Sequence, residues 1–275
     1  MRGLLPRHIR FWTFSSAVIT AAMCTCGLNA SAEPITVRHP EGTIHAFLEM
    51  RSEEGHVLAS GDVVQVVRGD QVTARTIFRF TDGSIDDETT VFSQRHNLRL
   101  ISDHHVQKGP FFPHPMDVLI DSGKSQVTVH STDKDGKDEV KTDRMTLPPD
   151  LANGMVPLVI GNMPTDAQQT TVSMLVFTPS PRIVKFAISR QGEEPFSVVG
   201  TSHQGIHYEI KIELGGVAGV VAPLIGKQPP NIELWIVGGQ APTFVKEEGP
   251  IYADGPILTI ELARPTWPDS PKEGD

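Results

Sequence analysis

The stretch Ile206-His207-Tyr208-Glu209-Ile210-Lys211-Ile212-Glu213-Leu214 decides the fold. Ile206, Tyr208, Ile210, Ile212 and Leu214 fall on one side of an extended chain, and His207, Glu209, Lys211 and Glu213 fall on the other. A helix, with its period of 3.6, cannot keep two such sets apart; a strand with a period of two does so automatically. One dry face and one wet face is the signature of an antiparallel sheet.

The same alternation, less regular, predicts strands at Thr43–Arg51, Asp62–Arg68, Val72–Phe80, Thr89–Gln94, Asn97–Ser102, Asp117–Asp121 and Gln126–Ser131. Later ones fall at Thr171–Phe177, Arg182–Ser189, Asn231–Val237 and Pro256–Ala263. Asp82-Gly83, Asp135-Gly136, Asp254-Gly255 and, more weakly, Ser122-Gly123 supply hairpin turns between them. Only Leu147–Met163 reads as helical. Leu151, Met155, Leu158 and Val159 recur at near-helical spacing, while Gly154 and Pro157 break it into a short element. The expected fold is mainly β: a large curved antiparallel sheet, a half-barrel or open barrel, with one short helical segment covering its dry face.

The ends of the chain are of another kind. Arg2, Arg7 and Arg10 precede an apolar run from Phe11 to Met23, and Ala30-Ser31-Ala32 completes a cleavage pattern, so residues 1–32 read as a secretory signal peptide. The run is too short for a membrane anchor, and no stop-transfer stretch follows. Expected organisation is therefore a signal peptide at 1–32, one β-rich domain at 33–263 and a Pro-rich tail at 264–275, with the mature chain periplasmic or extracellular. Cys24 and Cys26, the only two cysteines, both precede the cut. Neither has the flanking residues of a lipidation site. The mature chain would have no disulfide and no thiolate site, and its size suffices for a core without them.

The formal net charge is −9, and loss of the three signal arginines takes it to about −12. Such a surface repels phosphate backbones and anionic headgroups, which argues against a nucleic-acid partner.

Individual residues give few complete motifs. His104, His114 and Asp117 would form a metal site if the segment GPFFPHP (Gly109–Pro115) folded back on its strand. His104 and His105, being adjacent on a strand, point to opposite faces, which speaks against it. His203 and His207 lie about 13 Å apart on a strand, too far for one ion. GTSHQG (Gly200–Gly205) lacks the last glycine of a nucleophile elbow, with Gln204 in its place. Gly226-Lys227 lacks the first glycine and the Ser/Thr of a phosphate loop. Asp133–Asp138 lacks the glutamate of a calcium loop. No cofactor is implied.

The meander from Val63 to Val129, the segment Leu147-Pro148-Pro149-Asp150-Leu151 and the second meander resemble in layout the bacterial half-barrel domains of the periplasmic lipoprotein carriers. GGVAGVVAPLIGKQPP (Gly215–Pro230), with Trp235 and Gly238-Gly239, resembles a family of exported bacterial proteins that carries no activity with it. The expectation that follows is a non-catalytic exported binding protein for a lipid or other apolar ligand, using Tyr208, Ile210, Ile212 and Trp235. A metal-dependent enzyme using the His/Asp cluster and an envelope interaction protein are the alternatives. Val217–Ile225 would then be an apolar loop over one end of the core or a ligand portal.

Overall fold

The computed structural model describes residues 34–132, 137–177, 180–198, 200–213 and 229–263. The expected signal peptide, both cysteines, the apolar stretch Val217–Ile225, most of Asp133–Asp138 and the Pro-rich C-terminal stretch lie outside them.

Alternating residues and short turns fold as expected into hairpin after hairpin. The first run comprises β1 (Ile44–Ser52), β2 (Val57–Arg68), β3 (Gln71–Phe80), β4 (Ile85–Ser93), β5 (Arg99–Lys108), β6 (Met116–Asp121), β7 (Gln126–Thr132) and β8 (Asp138–Arg144). The helix α1 (Val156–Gly161) follows. The second run is β9 (Gln169–Phe177), β10 (Pro181–Val198), β11 (Thr201–Glu213), β12 (Ile232–Val237), β13 (Thr243–Gly249) and β14 (Leu258–Leu262). All fourteen strands belong to one antiparallel sheet in the order β8 to β1, then β14 back to β9. Its centre is the pairing of β1 with β14, Leu48 opposite Leu262, and its two ends, β8 and β9, do not pair with each other.

Expectation and fold differ at two strands. β8 (Asp138–Arg144) and β13 (Thr243–Gly249) are absent from the sequence reading, because their charged residues outnumber the apolar ones on which alternation depends. β4 and β5 are also longer than expected, taking in Asp86-Asp87-Glu88 and Asp103-His104-His105.

The sheet curls around one face. Phe92, Val118, Ile120 and Val127 from one arm meet Val172, Phe186, Ile188, Tyr208, Ile210 and Leu234 from the other in a single core that includes Met155, Val159 and Ile160 of the helical segment. Side chains of this kind each contribute about 1.5–3 kcal/mol on burial. The same face continues over β1 to β3 and β14 as a second cluster, Leu48, Met50, Phe78, Phe80 and Leu258. Gly61 allows this tight packing: a Cβ there would lie 2.5 Å from the Phe78 ring and 2.8 Å from Leu48. Phe112, between β5 and β6, and Tyr252, between β13 and β14, cover one end, their rings 5.8 Å apart.

With six residues, Pro157 in its first turn and no side-chain cap, α1 would not be helical alone. Tertiary contacts hold it. At its C-terminal end Asn162 donates to the Leu158 carbonyl and accepts from the backbone amides of Arg38 and His39 at 2.7 and 2.8 Å. On the other side the preceding segment covers the free edge of β9. Ala152 N–H donates to the Ser173 carbonyl, and Ser173 N–H to the Asp150 carbonyl. The Asn153 side chain then takes the place of a strand backbone, donating to the Leu175 carbonyl at 3.0 Å and accepting from its N–H at 2.9 Å. An uncovered strand edge would invite pairing with another chain.

Candidate functional site

Charged residues turn onto the concave face on β4 and β5. Since β4 and β5 continue their alternation through Asp86-Asp87-Glu88 and Asp103-His104-His105, every second charged side chain must turn inward. The register sets three inward pairs side by side: Asp86 opposite Gln107, Glu88 opposite His105 and Thr90 opposite Asp103. Asp86, Thr90, Asp103 and Gln107 are buried. Glu88 and His105 keep 28% and 23% of their side-chain surface accessible.

Hydrogen bonds tie the group together. Asp86 takes the imidazole of His105 at 2.6 Å on one oxygen and the Gln107 amide at 3.1 Å on the other. Gln107 also donates to the Ile251 carbonyl at 3.0 Å, next to Tyr252. Thr90 Oγ1 donates to Asp103 Oδ1 at 2.8 Å, and Glu88 lies 3.8 Å from the second nitrogen of His105. β13 contributes Glu247, whose charge acts on Glu88.

The electrostatics follow from burial. Desolvation, then repulsion from Glu88, pushes Asp103 up to about 7 against the opposing effects of Thr90, His105 and His104. Desolvation alone pushes Glu247 up to about 7. It also raises Glu88, which His105 partly restrains while Asp86 and Glu247 add to the rise. Burial acts to lower His105, but Glu88, Asp86 and Asp103 outweigh it and hold the imidazole at about 9. The concave face thus carries a protonated imidazole among four carboxyl groups, two of which hold their protons to near neutrality.

The residues singled out in the sequence lie elsewhere. Tyr208 and Ile210 are buried in the main core and Ile212 packs against its margin, all on the concave side of β11. Trp235 is not with them. It pairs in register with His207, while Tyr208 pairs with Leu234, so the indole lies on the opposite face among Phe196, Val198 and Val245. His104 and Asp117 do come together, at 3.0 Å, but on the outer face as an exposed pair. His114 is on the exposed loop between β5 and β6 and does not join them; the two preceding aromatics, Phe111 and Phe112, are what GPFFPHP turns inward. Among the described residues no three His, Cys, Asp or Glu side chains are arranged to hold a metal ion.

That outer pair belongs to a pattern. His45–Asp62, Arg75–Asp87 and His104–Asp117 repeat on β1–β2, β3–β4 and β5–β6, with Asp62, Asp87 and Asp117 in one transverse row and His45, Arg75 and His104 in the next. A shallow depression of about 340 Å³ lies there, lined by Arg75, Asp87, Thr89, His104 and Val106. It is open, and Arg75 is already neutralised by two hydrogen bonds to Asp87, so the concave group is the stronger candidate.

Sequence reasoning missed that group because it sought histidines close in sequence. The available signal was a run of charge that does not interrupt a strand: a strand with polar residues on both faces must place some of them inside.

No protein-family model matches the chain, and no curated protein does. Among solved structures it is similar to the crystal structure of a β-barrel-like protein of domain of unknown function DUF1849 from Brucella abortus, with 9% identity and a TM-score of 0.44 over 81% of this chain and 98% of the other.

Proposed function

We propose that this chain is an exported, non-catalytic binding protein for an apolar or lipid-like ligand. One observation carries the reading: a concave face that is apolar apart from the polar group of β4 and β5, in a sheet whose end strands β8 and β9 do not pair, with a short helical segment packed onto that face. Ligand sites of this class are mostly apolar with a few converging polar groups. Glu88, His105 and Glu247 are such groups here, and their charge favours a cationic or hydroxyl-bearing head over an anionic one. Export rests on the signal pattern of residues 1–32, and the half-barrel layout of lipoprotein carriers is the architecture closest to this reading.

A metal-dependent enzyme has less support, since His114 stands apart from His104 and Asp117. An interaction protein gains some from Phe47, Val64 and Leu119, which are exposed on the outer face.

Native mass spectrometry of protein purified from its own host tests the proposal, with 1-N-phenylnaphthylamine fluorescence as the complement. A co-purified amphiphile, or saturable probe binding displaced better by dodecylamine than by dodecanoate, is expected. No bound mass and no probe binding would remove the reading.

A further inference from the structure

The chain from Leu151 to Met163 contains no charged side chain, and it packs onto the concave face as a plug, along the edge of β9 and over Thr90 and Asp103. Its apolar side chains pack into the main core and Ala152 bonds Ser173; three further contacts fix it. Asn153 bonds the edge of β9 and Asn162 bonds the backbone of residues 38 and 39; both are neutral amides and indifferent to pH. The third contact differs. Gly154, with φ of +65°, lies directly on the Thr90–Asp103 pair: a Cβ there would be 1.9 Å from Thr90 Oγ1 and 3.3 Å from Asp103 Oδ1. No water-sized gap separates this backbone from the carboxyl group.

We propose that Asp103 is a proton-operated latch for this plug, which is seated while the carboxyl is protonated and released when it ionises, so that the concave face opens as pH rises. Movement of the plug stands independently; the consequence for ligand access rests on the binding function proposed above.

The surroundings support a latch of this sign. β4 presents Glu88 to Asp103, with Asp86 beyond it, and β5 presents His105. β13 brings Glu247 against Glu88, and His104 acts from the far side of β5. The neighbours in register on β3 and β6, Ala74 and Ile120, bring no charge, and neither does the plug. With Asp103 and Glu247 both near 7, the interior gains two negative charges across neutrality against the single imidazolium of His105. A carboxyl moving from about 7 when covered to about 4 when solvated favours opening by about thirtyfold between pH 5.5 and 8.5.

Hydrogen exchange with mass spectrometry on the full chain, at those two pH values and corrected for intrinsic rates, reads this directly. Protection across Met155–Gly161 should fall roughly ten- to thirtyfold at pH 8.5 and depend little on added urea, the mark of local opening, while β10 and β11 around Ile188 and Ile210 exchange only through urea-sensitive global unfolding. Asp103→Asn, which still accepts from Thr90, should keep the plug protected at both pH values. Plug protection that does not change, plug exchange as urea-sensitive as that of β10 and β11, or a fall that survives in Asp103→Asn would each overturn the latch. Should that variant not fold, Glu88→Gln takes its place: it removes the repelling neighbour that raises Asp103 and should move the release to lower pH, and an unmoved midpoint overturns the proposal. Binding of 1-N-phenylnaphthylamine at the same two pH values separates the two ideas. Release without probe binding supports the latch and removes the ligand; probe binding over a plug that never moves does the reverse.

Discussion

The imidazole of His207 lies flat on the indole of Trp235, ring centroids 4.5 Å apart and planes 7° from parallel, on the face of the sheet away from Tyr208. Glu233 and Glu194 hold the imidazole from both sides, at 2.7 and 3.1 Å, and the Lys246 ammonium sits 5.0 Å from the indole centroid. This arrangement locks four strands, β10 to β13, together outside the main core. A double-mutant cycle of His207→Ala and Trp235→Ala, read from urea unfolding at pH 7, should give a coupling of about 0.5–1.5 kcal/mol. Additive effects would mean that the stack is incidental.

Ile210 is 1% exposed at the centre of the core, and Lys211 beside it is more than half exposed. Ile210→Asp buries a carboxylate without a partner and should cost several kcal/mol, enough to unfold a domain of ordinary stability. Lys211→Ala removes one surface pair with Glu209 and should change stability by less than about 1 kcal/mol. Circular dichroism and urea melts of the two variants distinguish the faces; a folded Ile210→Asp protein would refute the assignment of β11.

His104 and His105 are neighbours in sequence and opposites in environment. His104→Ala loses an exposed pair with Asp117 and should cost under about 1 kcal/mol. His105→Ala leaves Asp86 and Glu88 on the concave face without their counter-charge and should cost about 3 kcal/mol or more. Equal costs in thermal or urea unfolding would contradict the placement of β5.

Stability should be higher at pH 5.5 than at pH 8.5. Folded Asp103 and Glu247 keep their protons to about 7, whereas unfolded carboxyls release theirs near 4, so folding takes up protons between these values and stability falls across that range. His105, at about 9 against an unfolded value near 6.5, contributes stability that is whole below about 6.5 and lost as pH rises through 9. Asp87, lowered by its hydrogen bonds to Arg75, acts the other way and only in acid, losing its contribution as pH falls below about 4. Urea midpoints should therefore decline from pH 5.5 to 8.5, and Glu247→Gln should flatten the decline. Midpoints that climb over this range would refute the buried-carboxyl account.

Asn153 is the only side chain among the described residues that substitutes for strand backbone at the β9 edge, and Asn153→Ala removes both bonds. A loss of about 2–3 kcal/mol is expected, since buried groups on Leu175 are left unpaired. Light scattering should show more self-association in the variant than in the parent protein, through the uncovered edge. A monomeric variant of unchanged stability would show that Leu151 and Ala152 suffice to cover the strand.

Much of the architecture was legible in the chain, and for one reason. Where Ile206, Tyr208, Ile210 and Ile212 alternate with charges, burial of one face dictates both strand and orientation. The same logic failed at β8 and β13, whose pairing comes from neighbours rather than from their own side chains. It also failed for Trp235, where the size of the indole outweighed the parity it shares with Glu233; Leu234 and Ile236 take the core and the indole goes outward with Glu233. The inward carboxyls of β4 and β5 were hidden for a different reason: charge in a strand reads as a wet face, and only the register reveals which members of Asp86-Asp87-Glu88 are enclosed.

Every neighbouring pair of strands in this sheet follows directly in sequence except β1 with β14. Local hairpins need little loop-closure entropy, so the run before α1 and the run after it have the low contact order of quick-forming meanders. Joining Leu48 to Leu262 demands closure of nearly the whole described chain. That seam should form late and set the folding rate, and substitutions such as Met50→Ala, where β1 meets β14, should slow refolding only if it is part of the transition state. The two termini of the sheet meet at its centre, while its open ends lie mid-sequence. Linking the chain ends and cutting between β8 and α1 would turn the one distant pairing into a local one, and the permuted protein should fold faster into the same sheet.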